Sequence, residues 1–235
     1  DPTRTLASSP PVARVTGGGR GGGAAISRRL AADGHAVAIN CAGRRDDAEA
    51  LAAELTAAGG QVIALQADVA DPQAVRQLFD AIEARFGGVD VVVNSAGVLQ
   101  LAALAESDDA LFERVMGINL KGAFNVLRES ARRVRDGGRI VTLSTSVVGI
   151  KLENYSVYAA SKAAVETLGA ILSKELRGRG ITVNAVAPGP TATDLFLDGK
   201  SPELIDRLAK MNPLERLGTP EDIAGAVAFL AGADG

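Results

Sequence analysis

Tyr158 and Lys162 stand four residues apart in Tyr158-Ala-Ala-Ser-Lys162, inside a stretch of helical period. Positions i and i+4 lie on one helix face, so the phenol and the ammonium would face one site. A free phenol has a pKa of about 10 and is a poor acid–base at neutral pH, but a nearby positive charge favours its ionised form and moves it toward the working range. Tyr155 is the rival tyrosine, yet the residue four positions on is Ala159. Upstream, Leu143-Ser-Thr-Ser-Val-Val-Gly149 ends a β-branched run on small hydroxyls, one of which could bind a substrate carbonyl and orient it toward the tyrosine. A third feature is Thr16-Gly-Gly-Gly-Arg-Gly-Gly-Gly23, with Gly17, Gly21 and Gly23 spaced G-x-x-x-G-x-G. Glycines there let the backbone turn sharply, approach a pyrophosphate and aim helix N-terminal amides at it.

These residues need elements to hold them. Short β-branched runs alternate with Ala/Leu/Glu/Arg segments of helical period. Strands are expected at Val12–Thr16, Val37–Asn40, Gln61–Gln66, Val89–Asn94, Arg139–Thr145 and Ile181–Ala187. Helices are expected at Gly22–Asp33, Asp46–Ala58 and from Asp71-Pro72 to about Phe86, then over Ser107–Arg135 with adjustments near Gly117 and Gly122, and over Ser156–Arg179. Proline suits the first helical position, where its missing amide hydrogen has no partner anyway. Pro188–Ser201 reads as a loop, followed by helices at Pro202–Lys210 and Pro220–Ala231. Six βα units without a composition break imply an α/β fold: a single-domain, Rossmann-type, doubly wound parallel sheet with helices on both faces, spanning 12–235. The glycine loop, the hydroxyl run and Tyr158 then meet at the carboxyl edge of the sheet. Residues 1–11 read as a disordered tail or expression remnant, with neither the positive start nor the apolar run of a secretory signal.

Composition narrows the classes. The 235 residues are 47% hydrophobic and 23% charged, as for a soluble globular domain, with 27 Gly and only 3% aromatic residues. A core of small aliphatic side chains suits helices packed closely on a parallel sheet. The formal charge of -3, without a basic block, argues against a nucleic-acid partner. No apolar run approaches the roughly 20 residues that span a bilayer, so no membrane partner is expected. Cys41 is the single cysteine and His35 the single histidine, so neither a disulfide nor a Cys/His metal site is expected; a cytoplasmic setting is the default. His35 reads as structural, Cys41 as a packed small hydrophobe, and Glu106, Asp108 and Asp109 as helix-start acids.

Taken together, the motifs resemble the short-chain dehydrogenase/reductase family from about Val12 to the chain end. The family's T-G-x-x-x-G-x-G is matched by Thr16, Gly17, Gly21 and Gly23, its N-N-A-G turn by Asn94-Ser-Ala-Gly97, and its adenine-side acid by Asp68. Its Asn-Ser-Tyr-Lys tetrad maps to Asn119, Ser146, Tyr158 and Lys162; Ser146 lies twelve residues before Tyr158 and is preferred over Ser144. Pro188-Gly189 with Thr191 and Thr193 is similar to the segment that holds the nicotinamide carboxamide. The resemblance implies a cofactor-facing set of Thr16, Gly17, Gly19, Arg20, Gly21, Gly22, Gly23, Asn40, Arg44, Asp68, Val69, Asn94, Ala96, Gly97, Tyr158, Lys162, Pro188, Gly189, Thr191 and Thr193. Ser95 departs from the family's second Asn. Gly18, Gly19 and Gly22 replace Ala, Ser or a bulky aliphatic, which predicts a loop that is mobile without cofactor.

The end of the second strand, Ile39-Asn40-Cys41-Ala42, has no acid for an NAD ribose before Asp46, whereas Arg20, Arg44 and Arg45 could grip a 2′-phosphate. NADP(H) is therefore the expected cofactor. The resemblance implies NADPH-dependent reduction of a small-molecule ketone, of 3-oxoacyl or general carbonyl type. Tyr158 would give the proton, Ser146 would polarise the carbonyl, Lys162 would hold the ribose, and Asn119 would position a relay water. Leu152, Tyr155, Leu195, Phe196 and Leu197, with Glu153 and Asn154 beside them, would frame an apolar entrance. The alternatives are an NAD-linked alcohol or sugar dehydrogenase working oxidatively, and a non-catalytic NADP sensor. Family members assemble as homotetramers or dimers through the long helices of units four and five and a seventh strand; the sequence given ends at Gly235, before that strand.

Overall fold

The computed structural model describes residues 9–235, so most of the expected tail lies outside the described residues. The chain runs β1 (Val12–Thr16), α1 (Gly21–Ala32), β2 (Ala36–Cys41), α2 (Arg45–Ala57), β3 (Val62–Gln66), α3 (Pro72–Phe86) and β4 (Val89–Asn94). A 3₁₀ turn at Leu104–Glu106 precedes α4 (Asp109–Val115), a π-helical stretch at Met116–Lys121 and α5 (Gly122–Arg133). Then follow β5 (Val134–Leu143), α6 (Val147–Ile150), α7 (Ser156–Glu175), β6 (Thr182–Val186), α8 (Asp194–Leu197), α9 (Pro202–Lys210) and α10 (Pro220–Ala231).

The strands form one parallel sheet in the order β3-β2-β1-β4-β5-β6. The order reverses between β1 and β4, and at such a switch point the loops diverge and leave a crevice above the strand ends. Every residue of β1 and β2 is buried, as parallel strands covered on both faces must be. Ala13 and Val15 of β1 face Ile26 and Leu30 of α1 and Val227 of α10. Val12 belongs to the opposite layer, with Val75 and Phe79 of α3 and Val126 of α5. No helix among the described residues is long and apolar enough to cross a membrane.

Several boundaries differ from the expectation, each for a tertiary reason. Arg133 closes α5 against Glu83 and Asp80 of α3, at 2.7 and 2.6 Å. Val134 is then free to pair with Val89, so β5 begins five residues before Arg139. The strand bulges at once through Gly137, whose φ is 78°, and Gly138, where a Cβ would press on the Asp90 carbonyl oxygen at 2.6 Å. The stretch expected as one helix from Ser107 is broken by the π-helical turn, at the place where Gly117 and Gly122 forecast an adjustment. The loop Pro188–Ser201 contains a turn of helix, α8, capped by the Thr193 hydroxyl on the Phe196 amide. Arg14 departs from the apolar pattern of β1. It is fully buried with its guanidinium 4.6 Å from the centre of the Phe79 ring, and none of its three side-chain nitrogens has a hydrogen-bond partner among the described residues. Burial disfavours its charge, and Glu129 opposes that effect.

Candidate active site

The glycine loop and the turn after β4 are built as one unit across the switch point. Thr16 ends β1 fully buried, and its hydroxyl accepts hydrogen bonds from the Ser95 and Ala96 amides at 2.9 and 3.0 Å. Gly17 takes φ 62°, and a Cβ there would lie 2.9 Å from Ala96 Cα, so only glycine fits between the two segments. A Cβ on Gly23 would lie 2.0 Å from the Gly17 carbonyl oxygen, so the first turn of α1 rests directly on the loop. Ser27 closes the loop from below, donating to the Gly18 and Gly23 carbonyls at 3.1 and 2.9 Å. The result is a backbone cradle opening at a helix N-terminus, which fits a pyrophosphate.

Around that cradle stand other residues expected to face the cofactor. Asn40, the penultimate residue of β2, donates its amide nitrogen to the Ala67 carbonyl at 3.1 Å, tying β2 to the Asp68-Val69 loop, while its buried Oδ1 has no partner among the described residues. Asp68 is exposed and its carboxylate caps the Ala70 amide at 2.9 Å; Val69 is buried under Gly122. Arg20 and Arg44 converge on the first turn of α2. Gly22 has no atom within 4 Å of where a Cβ would be. Thr193 comes within 3.8 Å of the Cβ position on Gly21, so the segment after β6 reaches over the glycine loop. Thr191, on the same segment, is buried and donates to the Gly189 carbonyl at 2.9 Å.

The catalytic candidates gather beside this cradle. Lys162 is buried, with Nζ donating to the Leu143 carbonyl at 2.9 Å and lying 5.9 Å from the centre of the Tyr158 ring. The Cβ position on Gly97 lies 3.3 Å from both Lys162 Nζ and Asn119 Oδ1, so the turn after β4 touches both polar groups. Asn119 sits in the π-helical stretch, 1% exposed, and its amide exchanges hydrogen bonds with the Val98 backbone at 2.8 and 2.9 Å. Its nitrogen also donates to Ser161 Oγ at 3.2 Å, and that hydroxyl donates to the Tyr158 carbonyl at 2.6 Å. The Asn119 side chain is thereby committed to fastening Tyr158 and Gly97–Val98.

The hydroxyl run resolves in an informative way. Ser146 donates its amide to the Pro188 carbonyl at 2.9 Å, and its Oγ is 3.9 Å from the Cβ position on Gly189, so it faces the segment after β6. Thr145, which motif spacing does not single out, lies close enough to the Tyr158 phenol to oppose the effect of burial on it, and its hydroxyl accepts from the Val147 amide at 3.3 Å. Ser144 bonds Glu166 on α7. Neighbouring side chains at a strand end leave it in different directions, so spacing along the chain could not select among the three.

Electrostatics differ from the expectation that Lys162 draws the Tyr158 pKa down. Burial pushes Tyr158 up to about 12, against the effect of the Thr145 hydroxyl, and pushes Lys162 down to about 8. Beside the hydroxyls lies a cavity of about 450 Å³, lined by Ile150, Leu152, Pro188, Gly189, Leu208 and Met211 among others. Leu152 is there as expected. The apolar wall otherwise comes from Ile150, Val186, Leu208 and Met211 and from Ile223 and Ala226 of α10; Tyr155, Leu195, Phe196 and Leu197, with Glu153 and Asn154, lie outside the lining.

A family model described as Enoyl-(Acyl carrier protein) reductase matches residues 17–234. A short-chain type dehydrogenase/reductase of Picea abies is 44% identical over 95% of this chain and 86% of its own length. The chain belongs to the short-chain dehydrogenase/reductase family. It is an oxidoreductase of that family. Another short-chain dehydrogenase/reductase relative, the NADPH-dependent aldehyde reductase-like protein, chloroplastic, of Arabidopsis thaliana, is 42% identical over 99% of this chain and 94% of its own length. Among solved short-chain dehydrogenases, one from Burkholderia cenocepacia in complex with NADP superposes with a TM-score of 0.89 at 38% identity, covering 95% of this chain and 91% of that one.

Proposed function

We propose that this short-chain dehydrogenase/reductase reduces the carbonyl of a medium-sized ketone to a secondary alcohol with NADPH. The observation that carries the reading is the pair of half-buried Tyr158 and buried Lys162 beside the glycine cradle. The NADPH in the Arabidopsis relative's name and the NADP in the Burkholderia complex support the cofactor. When bound along the strand ends, NADPH supplies the hydride that reduces the carbonyl carbon.

The chain's own residues supply the rest. The amides of the Gly17–Gly23 loop hold the pyrophosphate, and Arg20 and Arg44 stand where the adenosine ribose lies in this fold. Thr191, Thr193 and Pro188-Gly189 line the nicotinamide end, while Lys162 binds the ribose hydroxyls. Thr145 and Ser146 flank the carbonyl oxygen and polarise it. Tyr158 then donates its phenolic proton to that oxygen, which is a general-acid step. Asn119 works through Ser161 as a positioning group for the Tyr158 backbone.

The reductive direction is supported by the protonation state of Tyr158. With the phenol pushed up to about 12, Tyr158 carries its proton at neutral pH, as a donor to a carbonyl must. Oxidation of an alcohol would need the ionised phenol. Assembly through the outer faces of α4, α5 and α7 is part of the proposal, since Phe112, Phe124 and Ile171 stand there 47%, 42% and 51% exposed. The test is NADPH consumption over a panel of ketones, with Tyr158→Phe as control. Turnover is expected to vanish while NADPH binding, followed by its fluorescence, stays within a factor of about two, because the ring remains and only the proton-donating hydroxyl is lost. Retained turnover in the variant would overturn the assignment.

A further inference from the structure

Three arginines lie near the expected 2′-phosphate position, and the structure sorts them. Arg45 turns away, its Nε 2.5 Å from Glu49 one turn along α2. Arg20, from the glycine loop, and Arg44, from the loop between β2 and α2, both lean toward one oxygen, Asp47 Oδ2, each at 3.9 Å. That is too long for the charge-assisted hydrogen bonds of about 2.7–2.9 Å that a seated guanidinium makes with an oxyanion. The two cations are gathered by Asp47 without being bonded to it.

Two backbone features enforce this meeting. A Cβ on Gly19 would lie 3.2 Å from the Ala48 Cβ, so the glycine loop presses directly on the first turn of α2 and brings Arg20 beside Asp47. Arg44 adopts the left-handed φ of 43° at the N-cap of α2, a conformation uncommon outside glycine, and its side chain is thereby delivered to the same place. Arg20 and Arg44 meet Asp47 and Arg45 meets Glu49, with Asp46 in the same turn of α2, so the formal charge of this patch is balanced.

We propose that Asp47 is a built-in competitor for the 2′-phosphate of NADPH: it occupies the attention of Arg20 and Arg44, and thereby sets a modest preference for NADPH over NADH. The inference rests on the cofactor reading above and adds the residue that tunes it. When the phosphate seats, both guanidiniums exchange one carboxylate oxygen for phosphate oxygens, and the Asp47 charge is left beside a dianion. NADH carries no phosphate at that carbon, so it meets no such opposition.

The experiment is a fluorescence titration of NADPH and of NADH into the wild-type chain, Asp47→Asn and Asp47→Glu at low ionic strength, with thermal melts to show that each is folded. Asp47→Asn is expected to bind NADPH roughly three- to tenfold more tightly, the range for a carboxylate within about 6 Å of a phosphate under partial screening, with NADH moved less than about twofold. Asp47→Glu should stay close to wild type, and the gap between Asn and wild type should narrow as salt rises. An NADPH-to-NADH affinity ratio that falls or stays level in Asp47→Asn overturns the proposal, because Asp47 would then organise the arginines or be silent. Failure of the wild type to bind either nucleotide overturns the cofactor reading, and the proposal with it.

Discussion

At the scale of single residues, Tyr158 and Lys162 owe their properties to burial before charge. Burial holds the phenol at about 12 and the ammonium at about 8, so both are uncharged more readily than in water. The sign follows directly. Reduction needs protonated Tyr158 and charged Lys162, both present at neutral pH; rising pH removes the lysine charge first, as it passes about 8. Carbonyl reduction is therefore expected to be level below that point and to fall above it, while alcohol oxidation climbs with pH. Steady-state profiles in both directions check this, and a reductive optimum above pH 10 would contradict it. The Thr145 hydroxyl, which opposes the effect of burial on Tyr158, gives a second expectation. Thr145→Val should lower kcat by about a hundredfold, as loss of one donor to a developing oxyanion does. Ser146→Ala, whose hydroxyl faces Gly189, should cost less. The reverse order in kcat would return the main polarising role to Ser146.

At the scale of elements, the loop from β1 to α1 is two different sites within one run of glycine. Gly23 must be glycine, because a Cβ there would collide with the Gly17 carbonyl oxygen. Gly22 is under no such constraint: its surroundings are open and its φ is not positive. Gly22→Ala is thus expected to stabilise the fold by about 0.5–1 kcal/mol through the entropy of the unfolded chain. Gly23→Ala should destabilise it and abolish NADPH binding. Melting curves with and without NADPH separate the two, and a destabilised Gly22→Ala would contradict the open surroundings. The π-helical stretch Met116–Lys121 plays a comparable part on the other side of the site, inserting buried Asn119 between Val98 and Ser161. π-bulges recur at functional sites because they shift a side chain out of helical register.

At the scale of the whole molecule, the outer face of α4, the π-helical stretch, α5 and α7 carries Phe112, Phe124 and Ile171, while its cleft is lined by Met116, Leu120 and Leu168. A second copy of the chain would cover these residues. Phe124→Glu is expected to leave the fold intact, since the ring is 42% exposed, and to shift the protein toward monomer in sedimentation. An unchanged sedimentation coefficient would move the assembly surface elsewhere.

Local chemistry alone makes much of this protein legible. The alternation of β-branched and helical segments gives the order of the elements, because side-chain period is a property of the backbone itself. Proximity of Tyr158 to Lys162 follows from a single helix, and the tight glycine turn follows from the absence of Cβ atoms. Three features lie beyond local chemistry. The start of β5 is displaced because Val134 finds Val89, a partner distant in sequence. Spacing alone favours Ser146 over Ser144, and only the packed strand end shows that Ser144 is turned to Glu166 on α7. The meeting of Arg20, Arg44 and Asp47 requires two loops to pack together. The sequence by itself determined what depends on neighbours along the chain; the tertiary structure decided which hydroxyl, which cation and which counter-charge share a site, because those contacts and the desolvation that tunes them exist only once remote segments pack.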